Sequence, residues 1–219
     1  MAWVRLVRFT ERPQELLAEI CAVYYAAEPG MARVGRILRQ GDTSPFEHVS
    51  FTFEASVSRV TLAQWTRHRV GWSYSVRSQR VTDASREAMV WPETVERLIE
   101  AQTPLGAAVH RHVEASRGLY EELRAAGVTR EDARYILPQG VATHLFATCN
   151  ITSLRHFAQE RLRGGQWEIR WLAREMVRQA HAVCPVGFDD LVGSLESGEP
   201  APAEGSGLPG RPDSPSRQE

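Results

Sequence analysis

Arg67-His68-Arg69-Val70-Gly71-Trp72-Ser73-Tyr74-Ser75-Val76-Arg77-Ser78-Gln79-Arg80 puts four arginines, one histidine and two aromatic residues into fourteen positions. No Asp or Glu occurs from Ala55 to Thr82, and Arg59 adds a further positive charge to that window. The whole chain carries a formal net charge of −1. A cationic patch concentrated in an otherwise neutral protein points to a defined anionic ligand rather than a general electrostatic film. Guanidinium groups present a planar fork that grips a phosphate through two hydrogen bonds. The chain contains no lysine at all, so the position of these arginines, more than the choice of Arg over Lys, carries the inference.

Working outward, Arg59 to Arg69 has helical spacing through Val60, Ala63 and Trp65, which predicts a helix ending in the Arg67–Arg69 cluster. On such a helix Gln64, Arg67 and His68 stand at i, i+3 and i+4 and share a face. Arg69 falls about 200° from Arg67 at roughly 100° per residue, so one helix end could serve two ligand groups. For this cluster alone the bland alternative is a solvated basic helix end, favourable against the helix dipole. Upstream, Val49 to Phe53 alternates like a half-buried strand after the turn chemistry of Gly41 to Pro45. Ala2 to Phe9 reads as a first strand, Pro13 to Ala26 as a helix, and Met31 to Arg39 as a second, short one.

Downstream, a long helix is expected from Glu93 towards Ala126, bent near Thr103-Pro104 and stopped by Gly127. Thr129 caps the next helix, which ends at Pro138. Ala142 to Cys149 reads as a strand and Thr152 to Arg163 as a helix. After a break at Gly164-Gly165, Gln166 to Val183 forms a strongly apolar helix. The fold class is α/β (α+β), one domain over residues 1–192. Residues 193–219 are rich in Gly, Pro, Ser and Glu and are expected to form a disordered tail.

Several function classes are excluded by what is missing. The three cysteines, Cys21, Cys149 and Cys184, are widely spaced and form no CxxC, which argues against a disulfide framework or a structural zinc site. The histidines form no HxxxH pair and stand in no carboxylate cluster with metal spacing, so no metal is expected. Met1 to Phe9 lacks the apolar run and cleavage site of a secretory signal, and no apolar run nears the roughly 20 residues that span a bilayer, so a cytoplasmic protein without membrane contact is expected. No P-loop is present, and no GxGxxG stands between a predicted strand and a helix. Cys149 sits in the apolar run Leu145-Phe146-Ala147 and reads as a buried, inert thiol rather than a nucleophile. Trp65, Trp72 and Tyr74 among basic residues could stack nucleic-acid bases, but the near-neutral net charge speaks against that partner.

Arg67-His68-Arg69, followed after eight residues by Ser78-Gln79-Arg80, resembles the signature of the flavin-dependent thymidylate synthases. Thr43-Ser44-Pro45-Phe46-Glu47-His48 and Phe51-Thr52-Phe53 look like the family segment upstream of it. Ala133 to Pro138, Asn150 and Gln166-Trp167-Glu168-Ile169-Arg170 resemble its C-terminal half. The matches come in the family's order over roughly residues 5–190. The fold this resemblance implies is a central twisted sheet flanked by helices.

The activity it implies is reductive methylation at C5 of a uracil nucleotide, dUMP and also UMP in a branch resembling the UMP/dUMP methylases of polyoxin-type antibiotic pathways. Methylenetetrahydrofolate would give the carbon, and FAD reduced by NADPH the hydride. The implied assembly is a homotetramer with shared active sites. By position, Gln64, Arg67, Ser78, Gln79, Arg80, Arg134 and Arg161 would hold the nucleotide, Ser78 and Arg161 closest to the chemistry. Ser44, Arg67, His68, Arg69, Asn150 and His156 would hold FAD. Asp42, Val76, Val81 and Thr152 depart from the residues common in the family, and Arg163-Gly164-Gly165 is one residue shorter than the usual link. A second class stays open on those departures: a catalytically degenerate relative that binds nucleotide or nucleic acid.

Overall fold

A computed structural model describes residues 2–197 of the chain. Four antiparallel strands, β1 (Trp3–Phe9), β2 (Ser50–Ser58), β3 (Trp72–Val76) and β4 (Ala142–Asn150), form a sheet in the order β1-β2-β4-β3. Register follows the apolar alternation. Phe51 opposes Cys149, Phe53 opposes Ala147 and Ala55 opposes Leu145, and all six are buried on one face. Thr52, Glu54 and Ser56 oppose Thr148, Phe146 and His144 on the other, because successive side chains point to opposite faces.

The apolar face is covered by α7 (Ile151–Gly164) and α8 (Trp167–Val183), with α1 (Pro13–Tyr24) and α2 (Met31–Gln40) closing one end. In α8 the residues Ile169, Leu172, Ala173, Met176, Val177 and Ala180 recur at helical spacing and are fully buried, so this stripe docks the helix on the sheet. A separate small core of Ala84, Tyr120, Ala133 and Leu137 packs α5 (Pro104–Ala125) and α6 (Arg130–Ala133) against the segment after Arg80. Before it lies α4 (Glu93–Glu100), and the break at Pro104 is where the sequence placed it.

Three expectations need correction. The helix over Arg59 is shorter than its spacing allows: α3 runs Arg59–Trp65, and Arg67, His68 and Arg69 lie in the turn beyond it. Tertiary hydrogen bonds explain the stop. Gln64 O accepts from Arg161 and Trp65 O from Tyr74, so the last carbonyls are taken by side chains from other elements. The shared helical face of Gln64, Arg67 and His68 therefore does not exist. Beyond Thr129, helix α6 tightens into a 3₁₀ turn over Arg134–Ile136. Finally, α9 (Asp189–Ser197) passes through Gly193, beyond the expected end of the domain, and the rest of the expected tail lies outside the described residues.

Candidate active site

The turn between α3 and β3 is fastened on every side. At its entry Thr66 Oγ1 donates to Leu62 O (2.9 Å), and Tyr74 Oη reaches both Trp65 O (2.9 Å) and His68 O (2.8 Å). At its exit Ser153 Oγ donates to Val70 O at 2.9 Å. Gly71 has φ +68°, and a Cβ there would stand 2.0 Å from Ser153 Oγ, so both the dihedral and the space demand glycine. Asn150 caps α7 by accepting from Ser153 N (2.8 Å), which ties the turn to that helix N-terminus.

Arg161, one turn before the end of α7, donates Nη2 to Gln64 O (3.0 Å) and Nε to His68 Nε2 (2.8 Å). An arginine nitrogen only donates, so His68 Nε2 accepts and the ring proton sits on Nδ1. Burial, the Arg161 cation and then His156 push the His68 pKa down to about 4. His68 is thus a neutral ring, edge-on to Phe157 at 4.9 Å and to His156 at 5.9 Å. In a titration followed by imidazole NMR, His68 should stay neutral with Nδ1 protonated down to about pH 4. A midpoint near the ordinary 6.5 would show that this contact does not hold in solution.

Ser44 belongs to the same region: Thr152 Oγ1 donates to Thr43 O (3.1 Å), so the 3₁₀ turn Ser44–His48 is tied to α7. That is what Thr152, one of the departures noted above, does here. The structure therefore brings Gln64, His68, Arg161, His156 and Asn150 together, with Arg67 and Arg69 exposed on the turn and Ser44 beside it. Among the described residues neither Arg67 nor Arg69 has a carboxylate partner.

The remaining candidates form a second group beyond the other end of β3. Ser78 O accepts from Thr82 N (2.9 Å) and Thr82 Oγ1 (2.8 Å), which turns the chain so that Arg80 Nε meets Glu131 at 3.0 Å. Arg134 Nε donates to Glu131 O (3.0 Å). Gln79 is only 7% exposed, and its Nε2 has no partner among the described residues, a donor that a ligand oxygen reaching that point would satisfy. No hydrogen bond or ion pair among the described residues joins the two groups. They are related through α3, whose N-terminal Arg59 lies near enough to Arg134 to feel its charge. Seven residues at 1.5 Å rise place the ends of α3 on the order of 10 Å apart.

Sequence reasoning missed what holds α3. Glu168, 1% exposed on the apolar face of α8, accepts from Ser58 N (2.7 Å) and Ser58 Oγ (2.5 Å). Ser58 Oγ in turn caps α3 through Thr61 N, and Gln166 Nε2 donates to Thr61 Oγ1 at 2.9 Å. A carboxylate inside an apolar helical stripe was the available signal. Trp65 is fully buried, while Trp72 and Tyr74 pack against the core, so these rings are no platform for nucleic-acid bases. Cys149 is buried, and burial pushes its thiol pKa well up, as expected of an inert group. A concavity of about 540 Å³ on the open sheet face has its cations met by carboxylates, Arg5 by Glu54 and Arg77 by Glu87, which leaves no charge for an anion.

Comparison with known proteins identifies the family. Residues 5–186 match the family model described as thymidylate synthase complementing protein. The chain is 37% identical over 166 residues to a flavin-dependent thymidylate synthase of Nitratidesulfovibrio vulgaris, covering 72% of this chain and 66% of that one. It is 35% identical over 197 residues to the enzyme of that name from Pyrococcus furiosus, covering 82% and 79%. A crystal structure of the UMP/dUMP methylase PolB from Streptomyces cacaoi, bound with 5-Br dUMP, superposes with a TM-score of 0.71 at 25% identity, over 92% of this chain and 98% of that one. The turn that carries Arg67 and His68, the helix that carries Arg161 and the sheet between them belong to a member of the thymidylate synthase complementing protein family, an enzyme of the flavin-dependent thymidylate synthase type.

Proposed function

We propose that the chain methylates C5 of a uracil nucleotide, dUMP and also UMP, with methylenetetrahydrofolate as carbon donor and NADPH as reductant. The observation that carries this reading is the pair of cationic groups at the two ends of α3. A mononucleotide is long enough to bridge them, phosphate at one end and base at the other. Arg80 and Arg134 take the phosphate; until then Arg80 rests on the Glu131 carboxylate and Arg134 on the Glu131 main-chain carbonyl. Gln64, Arg67 and Arg161 lie towards the base, and Ser78, from the Arg80 end, would orient the ring rather than attack it.

The residues present fit a flavin. Among the described residues Arg67 and Arg69 offer two cations without carboxylate partners and His68 a neutral ring, on a turn that runs along α7 from Arg161 past His156 towards Asn150 at its N-terminus, with Ser44 on the 3₁₀ turn tied to the same helix. These six residues would hold FAD, which when reduced supplies hydride to the methylene carbon. The protein's own part is to bind, orient and polarise. Arg161 fixes the tautomer of His68, so the ring presents an N–H rather than a second cation beside the arginines. Homotetramer assembly belongs to the same reading, supported by the uncovered outer sheet face, where Trp3 and Phe146 remain 40% and 41% exposed. An active enzyme is favoured over a degenerate binder because Arg67, His68, Ser78, Arg80, Arg134 and Arg161 are all in place.

Tritium release from C5-labelled dUMP and UMP, assayed side by side with FAD, NADPH and methylenetetrahydrofolate, tests the reading. Release from both substrates is expected. Release from dUMP alone would narrow the substrate, and release from neither by a FAD-loaded protein would replace the enzyme with a binding module.

A further inference from the structure

Arg67 and Arg69 are exposed and lack carboxylate partners among the described residues, so the backbone of their turn decides where they point. We propose that Tyr74 is a positioning residue for this turn: its hydroxyl bridges the end of α3 to the carbonyl of His68 and so sets where Arg67, His68 and Arg69 face the flavin. The proposal rests on the flavin-binding reading above.

The hydroxyl lies 2.9 Å from Trp65 O and 2.8 Å from His68 O, three residues apart in the chain, and one proton serves both carbonyls. Its ring has no freedom to follow a moving turn. It stacks parallel on Trp72 (3° between planes, 5.7 Å) and meets Trp65 edge-on at 6.0 Å. Burial pushes the Tyr74 phenol pKa up, so the hydroxyl stays protonated. Tyr120 supplies the contrast within this fold. That hydroxyl is buried without a partner among the described residues, so a phenylalanine would fill its place equally well. At Tyr74 the oxygen has a job that ring packing does not do. Ser153 anchors the other end of the turn through Val70 O, an independent restraint that can be removed separately.

The test is Tyr74→Phe, with Ser153→Ala as a second release of the same turn and Tyr120→Phe as control. Losing a shared hydrogen bond of about 1 kcal/mol corresponds to roughly a five- to tenfold change in an equilibrium. FAD dissociation constants from flavin fluorescence should rise by about that factor in Tyr74→Phe and in Ser153→Ala, with Tyr120→Phe unchanged. Independently of flavin, the His68 NMR midpoint should move up from about 4 in Tyr74→Phe, because the ring loses its register with Arg161. A Tyr74→Phe protein whose His68 midpoint matches wild type overturns the proposal. Wild-type protein that binds no FAD would sink the flavin reading instead, and the His68 signal would still decide the role of Tyr74.

Discussion

Arg161→Ala is expected to lower kcat/KM for the uracil nucleotide by about 10²–10³. Truncating one partner of a desolvated, charge-assisted contact costs about 2–5 kcal/mol, and here three functions go at once. The side chain holds the carbonyl that ends α3, fixes the tautomer of His68 and belongs to the proposed base end of the nucleotide. Arg161→Lys restores the charge but not the fork, since a single ammonium does not reproduce the separate Nε and Nη2 donations, and should recover little. The His68 midpoint offers a check that needs no substrate. Removing the cation takes away the second of the causes that depress it, so the midpoint should rise towards the ordinary 6.5. Wild-type turnover in Arg161→Ala would show that the nucleotide site has been misassigned.

Arg134→Ala acts at the other end of α3 and should look different. It removes one phosphate contact while Arg80 stays on its turn, so KM rises with kcat less affected. Arg59 stands close by, its pKa pushed down by burial and then by the Arg134 charge. That residual cation should moderate the loss. A fall in kcat alone, at constant KM, would speak against phosphate binding at Arg134.

Much of this was legible in the sequence, for identifiable reasons. The long breaks are local events: Pro104 after Thr103, and Thr129 accepting from Asp132 N, occur where the residues demand them. Strand β4 and helix α8 announce themselves by period, and the acid-free window marks the cationic turn. What stayed hidden depends on partners far away in the chain. Helix α3 stops because Arg161, 97 residues from Gln64, takes its carbonyl, a competition invisible to helical spacing. β3 was overlooked inside the arginine-rich motif, although Trp72, Tyr74 and Val76 alternate with serines as a half-buried strand should. Gln79, expected to hold the nucleotide, lies buried, which no sequence pattern in the motif announces. Val81, 73% exposed beside Arg80, is explained by nothing in the structure.

Asp190→Ala is the variant with the largest expected effect on stability. Arg155, 5% exposed on α7, donates Nη1 to Asp190 Oδ1 and Nη2 to Oδ2, each at 2.7 Å, and Nη1 also to Gly187 O at 2.8 Å. This fork joins α9 to α7. Removing the carboxylate leaves a buried guanidinium with a single backbone acceptor, a situation that costs about 3–5 kcal/mol. The lower end applies because the Asp190 side chain is 44% exposed and water can reach the vacated side. At roughly 2–4 °C per kcal/mol for a chain of this size, Tm should fall by about 6–12 °C. Replacing both residues by apolar side chains of similar volume should recover most of the loss, because it removes the stranded charge along with its partner. The pH dependence supplies a sign. Burial opposes ionisation of Asp190, yet the Arg155 hydrogen bonds and charge hold its carboxyl below the ordinary range. A depressed carboxyl pKa contributes stability that is present above the unfolded value of about 3.9 and is lost as pH falls below it. Wild type should therefore weaken in that acid window more steeply than Asp190→Ala. Equal slopes, or a Tm unchanged at neutral pH, would mean that the fork contributes nothing to holding α9 in place.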